Sequence, residues 1–256
     1  MSNKNLQKEI TKWIKNYLKN SKLNTLVVGV SGGVDSAVVS TLCALTGRPV
    51  IVLKMPIKSN EKNTRLSNLH ARFLTTKFDN VREVEIDLTS SYMTLQGNLL
   101  QAIPDSPLAN ANTKSRLRMI ALYYAATYHN GLVVGTGNKV EDYGVGFFTK
   151  YGDGGVDISP IADLTKTQVR ELASQLEILP EIISAPPTDG LWEDNRTDED
   201  QIGVSYEELE WAMSYLENDE TRKLSPRETK ILEIYLGFHN KNKHKMIPIP
   251  TFRTNS

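Results

Sequence analysis

The sequence predicts an α/β protein with a doubly wound parallel sheet and helices on both of its faces. Short runs rich in β-branched residues alternate with longer stretches of helical period, which is the order of βαβ units. The first of these runs leads through a glycine turn directly into a helical segment, as a strand–loop–helix unit does. The 256 residues are enough for one complete core. We therefore expect a single domain over residues 1–256.

Each element of the N-terminal half follows from its local pattern. Apolar residues at helical spacing predict an amphipathic helix at 5–19, and a β-branched run predicts the first strand at 25–30. Apolar runs rich in valine and isoleucine predict the later strands, which are placed at 49–55, 81–87 and 131–136. The stretches between the strands are predicted to be helices at 36–46, 60–78, 90–102 and 110–129.

The C-terminal part is predicted to consist of three helices and two loops. Thr165 and Gln168 have the spacing of a capping box, so a helix should begin near Thr165. Two more helices are predicted at 205–217 and 226–240, and loops at the glycine-rich segment 144–157 and the polar segment 184–203. Because the sheet is expected to be parallel, ligands should bind beyond the carboxyl ends of its strands.

Composition limits the classes of partner and compartment. Lys plus Arg and Asp plus Glu are both 30, so the net charge is zero and no basic excess for nucleic-acid binding is visible. No apolar run approaches the length of a membrane span, and the polar start is unlike a signal peptide. The single cysteine, Cys43, cannot form an internal disulfide and is expected to be buried. We expect a cytoplasmic protein without nucleic-acid or membrane partners.

The run from Ser31 to Ser36, with the sequence SGGVDS, is the most informative motif. A glycine turn between a strand and a helix lets backbone N–H groups and the helix dipole bind a phosphate. No lysine follows the glycines, so this is not the P-loop of the mononucleotide-binding proteins. Asp35 lies within the loop, where it would repel a bare phosphate but could hold a magnesium ion that accompanies it.

This loop resembles the S-G-G-x-D-S signature of the ATP pyrophosphatases, which include NAD synthetase, the ATP domain of GMP synthetase, argininosuccinate synthetase and tRNA thiolases. The resemblance implies an adenine nucleotide alpha-hydrolase-like fold and cleavage of ATP between its α and β phosphates. It also implies that the loop residues bind ATP, namely Gly29, Val30, Ser31, Gly32, Gly33, Val34, Asp35 and Ser36. The loop alone does not identify the second substrate.

The end of the fourth predicted strand brings a second set of polar residues to the same edge of the sheet. Thr136 comes at the end of this strand and Glu141 about one helical turn later. If both strands are central, Asp35 and Glu141 converge and could share one magnesium ion with the triphosphate.

Five motifs in order are similar to those of the NAD synthetase family. They are the phosphate loop, the helix Asn112–Met119 (NTKSRLRM), the stretch 135–168 with GFFTKYGDGG, the loop 185–206 with APPT and DEDQIGVSY, and the terminal His244-Lys245. Together they extend over most of residues 26–250.

The resemblance implies that ATP adenylates the nicotinate carboxylate of deamido-NAD and that ammonia then displaces AMP to give NAD, with Mg²⁺ as cofactor. It implies ATP contacts from Thr136, Lys166 and Thr188, and magnesium ligation by Asp35 and Glu141. It implies deamido-NAD contacts from Arg116, Lys150, Asp157, His244 and Lys245. Of the two arginines in the NTKSRLRM helix we place Arg116 in the site and expect Arg118 at the surface or at an interface.

The segment 144–157 is expected to act as a lid that shields the adenylate from water. Lys150 within it is a candidate catalytic residue. A carboxylate must take a proton from ammonium before attack, and Asp153 and Asp157 are the candidates, with Asp153 preferred. Three further histidines have no partner pattern and are not placed in the site, namely His70, His129 and His239.

Two departures from the family pattern bear on Glu141. The interval between Glu141 and GFFTKYGDGG is one residue longer than in common members, and Gly137-Asn138-Lys139 stands where many have Asp-His-Ala.

The resemblance also implies a homodimer, for which the helices at 5–19 and 110–129 could supply the surface. Free ammonia is expected as the nitrogen donor unless a separate subunit delivers it, since no glutaminase segment with a catalytic cysteine is visible. The alternatives are another ATP pyrophosphatase acting on a different substrate and a non-enzymatic ATP sensor of the universal-stress class.

Overall fold

A computed structural model describes residues 3–59, 61–188, 190–192, 196–218 and 222–254. Four parallel strands form one sheet in the order β3-β2-β1-β4. Their bounds are β1 Thr25–Gly29, β2 Val50–Lys54, β3 Val81–Glu85 and β4 Gly131–Val133. Beyond β4, Val134 pairs with Ile158, so the chain runs along the edge of the sheet once more after the glycine-rich segment. The predicted α/β class with a parallel sheet is confirmed.

Ten α-helices occur in the described residues. They are α1 Asn3–Asn20, α2 Val34–Leu45, α3 Glu61–Lys77, α4 Thr89–Leu100, α5 Pro107–Tyr128, α6 Lys166–Gln175, α7 Pro180–Ile183, α8 Asp198–Ile202, α9 Tyr206–Glu217 and α10 Pro226–Met246. A π-helical segment covers Val140–Val145. No helix in the described parts of the chain is both long enough and apolar enough to cross a bilayer.

The sheet is covered on both faces because successive residues of β1 point in opposite directions. Leu26 and Val28 belong to the core that α1, α2 and α6 share with the sheet. Val27 belongs to a second core on the α5 side. A third cluster joins α9, α10 and the π-helical segment. Cys43 is buried in the first core, as expected.

The C-terminal part differs from the sequence prediction at three places. The predicted loop 184–203 contains the short helix α8, which begins with a capping box between Thr197 and Asp200. A short helix, α7, precedes this loop and was not predicted. The last helix continues to Met246, so His244 and Lys245 lie in its final turn. Residues 193–195 of the loop lie outside the described part of the structure.

Candidate active site

The phosphate loop connects β1 to α2 at the carboxyl edge of the sheet. Its turn is held internally, since the Ser36 hydroxyl donates to the Gly33 carbonyl (3.0 Å) and the Gly33 amide donates to Ser31 Oγ (3.2 Å). Gly33 precedes α2 and provides no side-chain cap. The first amides of α2 and the positive end of its dipole therefore face the space where an anion would bind.

Gly32 is required by its backbone conformation and by its surroundings. Its φ is +91°, and a Cβ there would lie 2.8 Å from the backbone oxygen of Asn63 at the start of α3. We expect Gly32→Ala to lower the free energy of unfolding by about 2–4 kcal/mol, since it combines left-handed strain with a backbone clash. Denaturant unfolding measures this effect.

Gly47→Ala is the matched control for that substitution. Gly47 also has a positive φ (+69°), but a Cβ there would meet nothing within 4 Å. The control should lose only the left-handed term, about 1 kcal/mol. Equal decreases in the free energy of unfolding for the two variants would show that the contact with Asn63 does not affect stability.

Asp35 and Glu141 come together around the ammonium group of Lys166. Lys166 Nζ lies 2.6 Å from Asp35 Oδ2 and 3.0 Å from Glu141 Oε1. The Lys166 side chain is only 3% exposed, whereas each carboxylate side chain is 17% exposed. The three groups come from the start of α2, the π-helical segment and the start of α6. The two carboxylates therefore converge as predicted, with a lysine between them.

Two buried side chains that sequence reasoning missed orient this pair. The Tyr206 hydroxyl donates to Glu141 Oε1 (2.6 Å), and its ring lies under the Lys166 ammonium at 4.7 Å. Asn138 donates to Asp35 Oδ1 (3.3 Å) and accepts the backbone amide of Glu141 (3.1 Å). Tyr206 is the last residue of the DEDQIGVSY motif, and Asn138 lies where the sequence departs from the family pattern. The sequence therefore marks both positions but does not indicate their roles.

Lys166 stabilises the ionised form of both carboxylates, but burial and repulsion from Glu141 outweigh it at Asp35 and raise the pKa of that carboxyl. Burial acts to lower the pKa of Lys166, but Asp35 and Glu141 outweigh it and hold that pKa above its usual value. Burial acts to raise the pKa of Glu141, but Lys166 and the Tyr206 hydroxyl bring it below the usual range. Lys166 therefore stays protonated and Glu141 stays ionised at neutral pH.

The Asp35 and Glu141 carboxylates fit a magnesium ion if further ligands complete its coordination. Among the described residues no group of three or more His, Cys, Asp or Glu side chains is placed to hold a metal ion. Two carboxylates supply hard oxygen ligands, and Mg²⁺ commonly takes one or two carboxylates together with substrate phosphates and water. The phosphate loop, whose Asp35 is one of the two carboxylates, is where such phosphates would lie.

Gly137 and Asp142 explain one departure from the family pattern. A Cβ at position 137 would collide with both carboxylate oxygens of Asp142, so Asp142 fills the space that a side chain at 137 would need. Burial, followed by repulsion from Glu141, Asp153 and Asp35, raises the pKa of Asp142 to about 8. The longer interval after Glu141 coincides with the π-helical segment, a wider turn that takes more residues than an α-helical one.

The middle of the lid segment 144–157 is attached to α5 by side-chain contacts. Ser115 Oγ donates to Asp153 Oδ1 (2.7 Å) and accepts the Asp153 amide (2.9 Å). The Thr149 hydroxyl donates to Asn112 (2.7 Å), and the Arg116 guanidinium donates to the Lys150 carbonyl (3.3 Å). Although part of Asp153 faces solvent, the surrounding protein raises the pKa of its carboxyl, while Ser115 and the Thr149 amide oppose this.

The last helix, α10, holds the other side of the lid through backbone carbonyls. His239 Nδ1 donates to the Gly144 carbonyl (2.8 Å), and Asn242 donates to that of Val145 (2.9 Å). Lys245 Nζ donates to the Phe148 carbonyl (2.7 Å). In the opposite direction, Lys150 Nζ donates to the carbonyl of His244 (3.0 Å).

Four of the five residues predicted to contact deamido-NAD therefore meet at the lid, namely Arg116, Lys150, His244 and Lys245. Asp157, the last residue of the lid segment, is held against β4 and α5 instead, because its carboxylate accepts the Val133 amide (2.8 Å) and the Tyr123 hydroxyl (3.1 Å). Burial lowers the pKa of Lys245.

The two threonines predicted to contact ATP lie on separate loops. Thr136 follows β4 at the carboxyl edge and is partly buried. Thr188 Oγ1 accepts the Gly190 amide (3.2 Å) and donates to the Arg196 carbonyl (3.3 Å). Gly190 packs against the Asn63 side chain, beside the phosphate loop.

Two basic residues outside the predicted site make contacts that the sequence did not indicate. Arg118 is partly buried and donates to the Met55 carbonyl just beyond β2 (3.1 Å), because the end of that strand approaches α5; its predicted place at the surface or at an interface stays a prediction. His239 does have a partner, the Gly144 carbonyl, since the π-helical segment leaves that oxygen facing α10.

We expect Ser115→Ala to lower kcat/KM about tenfold. The substitution removes the hydroxyl that accepts a hydrogen bond from the Asp153 amide and donates one to the Asp153 carboxylate. Thr113→Ala on the same helix is the control, because that hydroxyl donates to the Ala109 carbonyl of its own helix (2.8 Å). Steady-state kinetics at saturating ATP compares the two variants. Equal kinetics for S115A and T113A would mean that Ser115 does not hold the lid in its working position.

A parallel sheet that carries this loop and these carboxylates at its carboxyl edge defines a nucleotide-binding α/β enzyme. The profile of the family NAD synthase matches residues 6–247. An NH3-dependent NAD+ synthetase of Finegoldia magna is 40% identical over 219 residues, which cover 85% of this chain and 86% of that protein.

Two solved structures are similar over the whole chain. An NMN synthetase from Francisella tularensis has a TM-score of 0.88 and 31% identity, and covers 99% of this chain and 100% of its own. An NH3-dependent NAD synthetase from Campylobacter jejuni has a TM-score of 0.80 and 26% identity, with the same coverage. The chain belongs to the NAD synthase family. The predicted family, fold and ligase class are confirmed.

Proposed function

We propose that this protein makes NAD from deamido-NAD, ATP and ammonia, through an NAD-adenylate and with release of pyrophosphate and AMP. The observation that carries the proposal is the match to NH3-dependent synthetases over most of the chain. The arrangement of the site supports it, because the phosphate loop and the lid lie at the same edge of the sheet. No covalent nucleophile is needed, since ATP supplies the leaving group.

In the first step the nicotinate carboxylate attacks the α-phosphorus of ATP. Both reactants are anionic, so the site must neutralise charge before they can approach. The amides of the loop around Gly32 and Gly33 bind phosphate, and Lys166 supplies a fixed positive charge. Asp35 and Glu141 would hold Mg²⁺, which when bound neutralises polyphosphate charge. The remainder of the catalysis is positioning.

In the second step ammonia attacks the activated carbonyl and AMP leaves. Asp153 accepts the proton from ammonium, since it lies in the lid and Ser115 fixes its carboxylate. Asp157 is less suited to this role, because its carboxylate is bonded to the Val133 amide of β4. Turnover of Asp153→Asn at saturating ammonium tests the assignment, and an unchanged kcat would refute it.

Free ammonia is the proposed nitrogen donor. Glutamine-dependent amide transfer by this chain would need a reactive thiolate, and the sequence has one cysteine, Cys43. Cys43 is fully buried in the core, and burial raises the pKa of its thiol. It cannot serve as the nucleophile of a glutaminase.

The decisive assay supplies ATP, magnesium and deamido-NAD with either ammonium chloride or glutamine, and measures AMP and NAD. We expect NAD and AMP in equal amounts with ammonium and none with glutamine. AMP without NAD from ammonium would return the protein to the wider class of ATP pyrophosphatases, with another acceptor.

A second candidate acceptor is the mononucleotide, nicotinate mononucleotide, with NMN as product. The observation that favours it is the TM-score of 0.88 to an NMN synthetase, above the 0.80 to an NH3-dependent NAD synthetase. The same assay with nicotinate mononucleotide in place of deamido-NAD decides between the two, and the acceptor with the higher kcat/KM is the substrate.

A homodimer is proposed through α5. Ile120, Tyr124 and Tyr128 form a stripe at helical spacing and are 58%, 76% and 78% exposed. Exposed apolar side chains in one stripe are typical of an interface. Light scattering should give twice the chain mass of 28.7 kDa. Tyr124→Glu should shift that mass toward the monomer, and a monomeric unmodified protein would refute the proposal.

A further inference from the structure

The ammonium of Lys166 lies between Asp35 and Glu141, the two residues that would hold a magnesium ion. The ammonium contacts Asp35 Oδ2 and Glu141 Oε1 together. These two residues are the proposed magnesium ligands, so the lysine and the metal use the same pair of side chains. The Tyr206 ring lies on a third side of the ammonium.

Both cations cannot stay between these oxygens. A divalent ion bound by Asp35 Oδ2 and Glu141 Oε1 would lie within a few ångströms of the ammonium, and like charges at such distances repel strongly where little water screens them. The Lys166 side chain is 3% exposed, so almost no solvent reaches it. Entry of a metal ion between these two oxygens therefore requires the ammonium to leave them.

A displaced Lys166 needs another anion. A buried charge that loses its partner is strongly unfavourable, and Lys166 cannot easily reach water. Phosphates held at the Ser31–Ser36 loop are suitable, because Asp35 of that loop is already in contact with the lysine. Metal entry without nucleotide leaves the lysine unpaired, whereas entry with nucleotide does not.

We propose that Lys166 is an exchangeable counter-ion that keeps Mg²⁺ out of the Asp35–Glu141 pair until a nucleotide phosphate is present to receive it. This inference rests on the proposed function, since it takes ATP as the ligand of the loop. It gives Lys166 a role beyond ATP contact: it makes binding of the metal conditional on binding of the nucleotide.

The experiment measures Mn²⁺ binding by electron paramagnetic resonance, with Mn²⁺ as the probe for Mg²⁺, in the absence and presence of a non-hydrolysable ATP analogue. In the unmodified protein the analogue should tighten Mn²⁺ binding by about tenfold to a hundredfold. Lys166→Met should bind Mn²⁺ tighter without nucleotide by a similar factor, and the analogue should then add little. Lys166→Arg keeps a cation beside the carboxylates, so the analogue should still tighten its Mn²⁺ binding.

A control places the ion at this site. Adding Asp35→Asn to Lys166→Met should abolish the gain in Mn²⁺ affinity. No gain in Lys166→Met, or a gain that persists in the double variant, would overturn the proposal. Because Mn²⁺ binding is read without product formation, a gain in a protein that makes no NAD would leave the exchange standing and reject only the assigned substrate.

A measurement on the unmodified protein covers the case in which Lys166→Met does not fold, as judged by circular dichroism. The ¹⁵Nζ resonance of Lys166 is assigned by its loss in Lys166→Arg. It should keep its position when Mg²⁺ alone is added and should shift when Mg²⁺ and the analogue are added together. A shift of equal size with Mg²⁺ alone would overturn the conditional exchange.

Discussion

Asp35→Asn should lower kcat for NAD formation by about 10²–10³-fold, the usual loss when one electrostatic group that acts in the transition state is removed. The substitution keeps the size of the side chain but removes the charge that faces Lys166 at 2.6 Å. The buried ammonium of Lys166 is then neutralised by one carboxylate instead of two. Steady-state kinetics across a range of magnesium concentrations measures both kcat and the magnesium requirement.

The matched control is Asp79→Asn, which removes a carboxylate from an exposed loop between α3 and β3. It should leave kcat unchanged, because screened surface charges contribute little. Glu141→Gln should lower kcat about as much as Asp35→Asn does. The double variant should lower kcat by much less than the product of the two single losses, since the residues act as one unit. Independent, multiplicative losses would contradict a shared site.

The sequence predicted those parts of the fold and site whose signal is local. The strand at 25–30 and the glycine turn after it are read from adjacent residues, and the parallel sheet then places Asp35 at its carboxyl edge. The helix start at Thr165 was predicted for the same reason, because both members of its capping box lie within four residues. Glu141 was placed near Asp35 by the rule that parallel strands end on one edge.

Contacts between distant segments were missed because nothing local encodes them. Lys166 lies 131 residues from Asp35 in the chain, and Tyr206 lies 65 residues from Glu141. Their pairing follows from how α6 and α9 pack, which periodicity does not specify. His239 and Asn242 bind backbone carbonyls, which have no sequence signature at all.

The π-helical segment shows a further limit of pattern reading. The extra residue after Glu141 was visible in the sequence, but a one-residue insertion can become a bulge, a longer loop or a wider helical turn. The structure adopts the wider turn, and Gly144 within it lets the Tyr235 ring of α10 approach. The choice among these outcomes depends on that tertiary contact.

The stability of the protein should fall by about 3 kcal/mol between pH 6.5 and pH 4 through a single histidine, His70. His70 of α3 is fully buried against α2, with Nε2 2.9 Å from Ser40 Oγ and, among the described residues, no hydrogen-bond partner for Nδ1. Burial lowers its pKa from 6.5 to about 4. In this window the unfolded chain binds a proton that the folded chain does not, so acid favours unfolding. The contribution is fully present above pH 6.5 and is lost as the pH falls toward 4.

His70→Gln separates this effect from the titration of carboxylates. The glutamine amide can still pair with Ser40, and it does not titrate, whereas every carboxylate is common to both proteins. The difference in unfolding free energy between the two, measured by urea denaturation at half-unit pH steps, should change by about 3 kcal/mol across the window and be constant above it. His129→Gln, which removes a partly exposed histidine, controls for the loss of a histidine as such. Parallel pH curves for the unmodified protein and His70→Gln would mean that His70 accepts a proton as readily in the folded chain as in the unfolded one.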